Sequence, residues 1–226
     1  SKACAAFLSC GGDDMVILGL TGSIGMGKSA TADLFRQRGA PVHDSDAAVH
    51  ALYAGRAAPL IEAAFPGTVR DGVVDRAALR QAVLGNAHAM KQLEAIVHPL
   101  VAEEREAFLH ASEKQNHPVV VLDIPLLFEI GGAADVDAVV VVTAPESVQK
   151  SRVLARPGMT PEIFAAIVAK QIPDREKRAR AHFIVDTSRG FEAAGREVDS
   201  ILRAAAYLEK AGAHARNHSG HGNDRT

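Results

Sequence analysis

The sequence lacks any run of about 18 consecutive apolar residues, so it offers no simple single-helix membrane span. It has little cysteine: only Cys4 and Cys10, both ahead of the first strand signal. A disulfide-stapled secreted domain spreads its cysteines through the fold, so these two read as incidental thiols of a reducing, cytoplasmic setting. The segment Ser1 to Asp14 also lacks the basic start and long apolar run of a signal peptide. An excess of basic charge is missing too. Twenty-five Lys and Arg stand against 27 Asp and Glu, for a net charge of −2 and a pI near 6.5. That balance does not suit a broad basic face for nucleic acid. No internal repeat is visible, and nothing calls for an obligate protein partner.

What is present is 226 residues, 47% of them apolar, enough for one globular domain with small excursions. Met15 stands directly before the first strand signal. Residues 1–14 are therefore either extra residues ahead of a natural start or a disordered native extension. The domain runs over 15–210, and the Gly-, His-, Asn- and Arg-rich residues 211–226 read as a disordered tail.

Met15–Leu20, Val119–Ile124 and Ala138–Thr143 are continuous apolar runs without alternation, as in parallel strands covered on both faces. Ala40–His43 and Phe183–Val185 are shorter strands. Helical spacing is predicted over Lys28–Arg38, Pro145 to about Ala155, Thr160–Gln171 and Phe191–Leu208. Strands alternating with helices give an α/β chain with a doubly wound parallel sheet. From about 47 to 116 the pattern is almost wholly helical, a helical insertion into that core. Asp75 reads as an N-cap there, and Asp71-Gly72 as a turn. Pro99 is expected to end or kink a helix at His98.

Gly22-Ser23-Ile24-Gly25-Met26-Gly27-Lys28-Ser29 matches G-x-x-x-x-G-K-[ST] between a predicted strand and a predicted helix. Glycines let backbone amides turn toward phosphate oxygens, and the following helix offers a partly positive amino terminus. The predicted ATP-phosphate cradle is Gly22, Gly25, Met26, Gly27, Lys28, Ser29 and Ala30. Lys28 reaches the β and γ phosphates, and the Ser29 hydroxyl binds Mg²⁺. No N-K-x-D of a GTPase and no L-S-G-G-Q of a transporter ATPase occurs, so a small-molecule P-loop kinase fits best.

Transfer to a hydroxyl needs a carboxylate to take its proton. Asp44, Asp46 and Asp123 follow predicted strands, where a parallel sheet gathers its ligand groups. Asp44 and Asp46 share a face if the chain stays extended and diverge if a helix begins at Ser45; either could instead cap that helix. Asp123 is the metal-side acid, directly or through water, or a structural acid bonding the phosphate loop. Seven basic residues crowd between Arg152 and Arg180, broken by Pro157-Gly158 and Pro173, in the manner of a mobile lid over 152–180. Arg152 and Arg156 are the candidates for catalysis; Arg178 and Arg180 read as a solvated face.

From Met15 to about Ala206 the chain resembles dephospho-CoA kinase. The carriers are G-L-T-G-S-I-G-M-G-K-S, Asp44-Ser45-Asp46 in place of D-A-D, His98-Pro99-Leu100, Asp123-Ile124-Pro125-Leu126-Leu127-Phe128-Glu129, Gln149-x-x-Arg152-x-x-x-Arg156, and Gln171 where a lid helix ends. The resemblance implies ATP- and Mg²⁺-dependent phosphorylation of the ribose 3′-hydroxyl of dephospho-CoA. Asp46 is then the implied base, Arg152 and Arg156 the lid arginines, and Asp44, His98 and Leu127 the substrate side. His98 either contacts substrate or packs at a helix junction. Asp186-Thr187 departs from an expected Asp-Asn, so no base contact is assigned there. A nucleoside or shikimate kinase, or an ATP-sensing regulator without transfer, are the competing functions.

Overall fold

A computed structural model describes residues 15–208; the expected extension 1–14 and tail 211–226 lie outside the described residues. In chain order the elements are β1 (Val16–Thr21), α1 (Lys28–Gln37), β2 (Val42–Asp44), α2 (Ser45–Tyr53), α3 (Ala57–Ala64), β3 (Val69–Arg70), β4 (Val73–Val74), α4 (Arg76–Val83) and α5 (Ala87–Lys114). They continue with β5 (Val119–Asp123), β6 (Ala138–Thr143), α6 (Glu146–Leu154), α7 (Pro161–Val168), α8 (Asp174–Ala179), β7 (Phe183–Asp186) and α9 (Phe191–Ala205). The described residues divide into two units: His43–Ala111, and the chain on either side of it.

The larger unit is built on a five-stranded sheet of order β2-β5-β1-β6-β7. The pairs β1–β5, β1–β6 and β6–β7 are parallel, with Leu20 opposite Asp123 and Thr143 opposite Asp186. The carboxyl ends of these strands therefore lie along one edge of the sheet. Every residue of β1 and β5 is buried, as their unbroken apolar runs predict. α1 and α9 cover one face: Phe35, Val198 and Ile201 pack on Leu18, Leu20, Val121 and Val140. Phe35 is fully buried, a contribution of roughly 2–3 kcal/mol.

The unit His43–Ala111 has its own core, in which Leu52, Ile61, Phe65, Leu79, Val83, Val97 and Leu100 meet. Asp75 caps α4 as predicted, accepting from Ala77 N at 3.0 Å and Ala78 N at 3.1 Å. These bonds, Ala78's above all, hold its carboxyl below the ordinary range.

Two expectations change here. The stretch is not wholly helical: β3 and β4 form an antiparallel hairpin across Asp71-Gly72. Both turn residues have positive φ, 51° and 78°, the conformation that such a tight hairpin requires. Two-residue strands are too short to leave any periodicity. Pro99 does not end a helix either, since α5 continues through it for 28 residues in all. A proline inside a helix costs about 3 kcal/mol. Ala95, whose carbonyl loses its helical donor, lies on the exposed side. The neighbouring Leu93, Ile96, Val97, Leu100 and Val101 are held in the core, which offsets that cost. Among the described residues no helix is long and apolar enough to cross a membrane.

Candidate phosphate-binding site

The loop after β1 takes its shape from glycine. Gly25 and Gly27 have φ of 78° and 93°, a region that side chains disfavour. A Cβ on Gly25 would stand 2.4 Å from Val153 Cγ2, and one on Gly22 would stand 2.8 Å from the Val142 carbonyl oxygen. The loop is thus pressed against both β6 and α6. Gly27 leads into α1, whose first turn has no side-chain cap and no acidic residue. Its leading N–H groups remain available to an anion. Ser29 is exposed, and Gly27, Lys28 and Ala30 are partly so; Gly22, Gly25 and Met26 are buried and act through their backbone, if at all.

Lys28 Nζ pairs with Asp123 Oδ1. The register sets Asp123 opposite Leu20, just ahead of the loop, and the carboxylate is 3% exposed. A carboxylate so far from water needs a cation, and Lys28 supplies it. Both readings of Asp123 from the sequence, loop-bonding acid and metal-side acid, are compatible with this position. Among the described residues no three His, Cys, Asp or Glu gather as a metal cage. Mg²⁺ needs none: it keeps several waters and binds through one or two protein oxygens plus substrate phosphates. Ser29 and Asp123 fit that donor set.

Arg152 is not adrift on a lid. Its Nη1 donates to Thr187 Oγ1 at 2.7 Å and its Nη2 to the Thr187 carbonyl at 2.9 Å. Thr187 Oγ1 in turn donates to the Met26 carbonyl at 2.7 Å. Arg152 is therefore fastened beside the phosphate loop through Thr187. Sequence reasoning missed Thr187, although the departure from Asp-Asn had drawn attention to that position. Asp186 beside it accepts from Ser188 N at 2.9 Å. Hydrogen bonding from Ser188 lowers its carboxyl pKa.

Arg156 follows α6 directly and is exposed, ahead of the turn at Gly158 with φ of 74°. α7 has no buried residue, although its sequence is apolar; Ile163 and Val168 are exposed. The rest of the basic segment differs. Lys177 is fully buried, with Nζ 2.8 Å from Glu129 Oε1. Burial pushes the Glu129 carboxyl up, but Lys177 and the Ile172 N–H more than offset it and hold it low. Arg178 pairs with Asp174 at 2.9 Å, and Arg180 stacks 4.3 Å above the Phe128 ring. The segment is thus an exposed helix followed by a docked foot, on which Arg178 and Arg180 stay exposed, as expected of a solvated face, although each has a partner.

Leu127, expected on the substrate side, is 0% exposed, packed under Gly19 and Gly132. Its side chain has no open surface, so only its backbone is left to meet a ligand; its neighbour Leu126, 42% exposed, points outward. In the helical unit, α2 begins at Ser45, so Asp44 and Asp46 diverge. Asp44 is the N-cap, accepting from Ala47 N at 3.0 Å, whereas Asp46 stands exposed in the first turn. His98 lies exposed on α5. His43, unremarked in the sequence, is buried against Phe108 with no hydrogen-bond partner on Nδ1.

A parallel sheet whose central strand feeds a G-x-x-x-x-G-K-S loop and then a helix defines a P-loop NTPase fold. The family pattern described as dephospho-CoA kinase matches residues 16–192. A dephospho-CoA kinase of Mesorhizobium japonicum is 64% identical over 188 residues, 83% of this chain and 95% of that one. A crystal structure from Thermus thermophilus matches with a TM-score of 0.74 at 34% identity, covering 85% of this chain and 98% of its own. Dephospho-CoA kinase from Campylobacter jejuni shares the fold at a TM-score of 0.58 and 22% identity, over 85% of this chain and 98% of its own. The chain belongs to the dephospho-CoA kinase family.

Proposed function

We propose that this protein transfers the γ-phosphoryl group of ATP to the ribose 3′-hydroxyl of dephospho-CoA, giving coenzyme A and ADP in the cytoplasm. The observation that carries the reading is Lys28, held by buried Asp123 at the phosphate loop of a chain in this family. Lys28 and the loop amides take the ATP phosphates. Arg156, on the exposed span, meets the charge on the transferring group. Arg152, fastened through Thr187, lends positive potential beside the loop. Asp46 accepts the proton of the attacking hydroxyl, since its carboxylate is exposed and outside the cap that engages Asp44. Asp44 and His98 line the acceptor side. Ser29, and Asp123 directly or through water, would hold Mg²⁺, which would supply positive charge against the phosphates.

A coupled ADP-release assay with dephospho-CoA, shikimate and a nucleoside panel tests this. Mg²⁺-dependent turnover is expected with dephospho-CoA and not with the others. Turnover confined to shikimate or a nucleoside, or ATP binding without transfer to any acceptor, would overturn the reading.

A further inference from the structure

We propose that Gln171 and Gln149 are positioning residues that grip the backbone of Ile24 from both sides and so tie the two ends of the α7 span to the phosphate loop. Ile24 N donates to Gln171 Oε1 at 3.2 Å, and Gln149 Nε2 donates to the Ile24 carbonyl at 2.8 Å. Ile24 lies between the glycines that shape the loop. Both bonds act on this one residue, and each comes from a different flank of the exposed helix.

Each flank is itself anchored. Gln149 is 6% exposed on α6, one turn before Val153, which abuts Gly25. Gln171 starts the docked foot. The next residue, Ile172, donates its N–H to Glu129 Oε1 at 3.0 Å, and Lys177 reaches the same oxygen at 2.8 Å. Between these flanks stands α7, with no buried residue, and Arg156. The loop that takes the ATP phosphates and the flanks of the span that carries Arg156 are therefore joined by two direct side-chain hydrogen bonds, both at Ile24. Loop geometry set by nucleotide is passed to the span through these two amides, and the span in turn steadies the loop.

The chemistry of the grip is polar in a testable sense. Position 171 must accept a hydrogen bond, because its partner is an N–H. Position 149 must donate one, because its partner is a carbonyl. Glutamate can accept but cannot donate when ionised. Gln171→Glu therefore keeps its bond, whereas Gln149→Glu loses its bond and sets a carboxylate against the Ile24 carbonyl. Both variants add the same charge beside the same residue, so the charge effect is common and their difference reports hydrogen-bond polarity.

The test measures binding of AMP-PNP with Mg²⁺ by calorimetry and exchange of the Ile24 amide by NMR, in the full chain and in Gln149→Glu, Gln171→Glu and Gln171→Met. Gln149→Glu should bind the nucleotide at least about fivefold more weakly than Gln171→Glu, the scale of one unmade buried hydrogen bond. Gln171→Met should speed Ile24 exchange and weaken nucleotide binding roughly three- to tenfold, with Gln171→Glu restoring slow exchange. Equal affinities in the two Glu variants, or unchanged Ile24 exchange in Gln171→Met, would overturn the proposal. Should Gln149→Glu fail to fold, the Gln171 pair decides it alone. The kinase reading gives the grip its purpose, but neither measurement involves dephospho-CoA, so its failure would show separately in the acceptor assay.

Discussion

At the scale of single residues, two neighbouring acids differ only by their place on a helix. Asp44 caps α2 and Asp46 stands in its first turn. Asp46→Asn should cut phosphoryl transfer by about a hundred- to ten-thousand-fold while ATP still binds, since Asn is nearly isosteric but takes no proton. Asn caps a helix as well as Asp does, so Asp44→Asn should fold normally and lose far less activity. Single-turnover rates on both variants check this; the reverse order would make Asp44 the base. His43 adds a prediction on pH. Burial holds its imidazole below the ordinary value, outweighing Asp44 and Glu104, which pull upward, while Arg105 acts with burial. A depressed folded pKa means that its stability contribution is whole above the unfolded value of about 6.5 and is lost as pH falls toward the folded one. Melting temperature should thus fall less between about pH 7.5 and 5.5 in His43→Leu than in the parent, because Leu takes up no proton. Identical pH slopes would show that His43 contributes no linked proton.

At the scale of elements, α8 is held by a charge pair rather than by apolar burial. Lys177 is the single buried residue of α8, and its ammonium meets Glu129 from the segment after β5. Removing one partner strands the other: Lys177→Met should destabilise the fold by about 3 kcal/mol in urea unfolding. Adding Glu129→Gln should recover most of that loss, because Gln still accepts from the Ile172 N–H and carries no charge. A double variant as unstable as the single one would mean that the lysine stem, not the charge, is what packs there. α7 shows the converse: an apolar helix with no buried residue, joined to anchored flanks at both ends.

At the scale of the whole molecule, nucleotide binding should appear as stability. A ligand that binds only the folded state at a hundred times its Kd adds about 2.7 kcal/mol. For a chain of this size that is roughly 5–10 °C in melting temperature. AMP-PNP with Mg²⁺ should give such a shift, and Lys28→Ala should abolish most of it; without nucleotide the variant should melt below the parent, because Asp123 is left buried without its cation. A full shift in Lys28→Ala would remove the loop from the nucleotide site.

Some of this architecture was legible because the residues concerned carry their own conformational reasons. The glycines and lysine of the phosphate loop, the Asp75 cap, the turn at Asp71-Gly72 and the unbroken apolar strands each follow from chemistry within a few residues. Lys177 looked like one cation among seven, and only α8 docking against Glu129 made it a buried one. Leu126 and Leu127 are indistinguishable as a sequence pair, yet the turn after β5 turns one out and the other in. Pro99 argued for an end or a kink, and contacts with residues far along the chain keep the helix running through it. Thr187 and Gln171 carry no local signal of the work they do on Met26 and Ile24, some 160 and 147 positions away. By itself the sequence determined the five strands of the main sheet, the phosphate loop and the family. Tertiary structure decided which side chains were withdrawn from water and which distant backbone groups they hold, because burial and long-range hydrogen bonds depend on what the folded chain brings alongside.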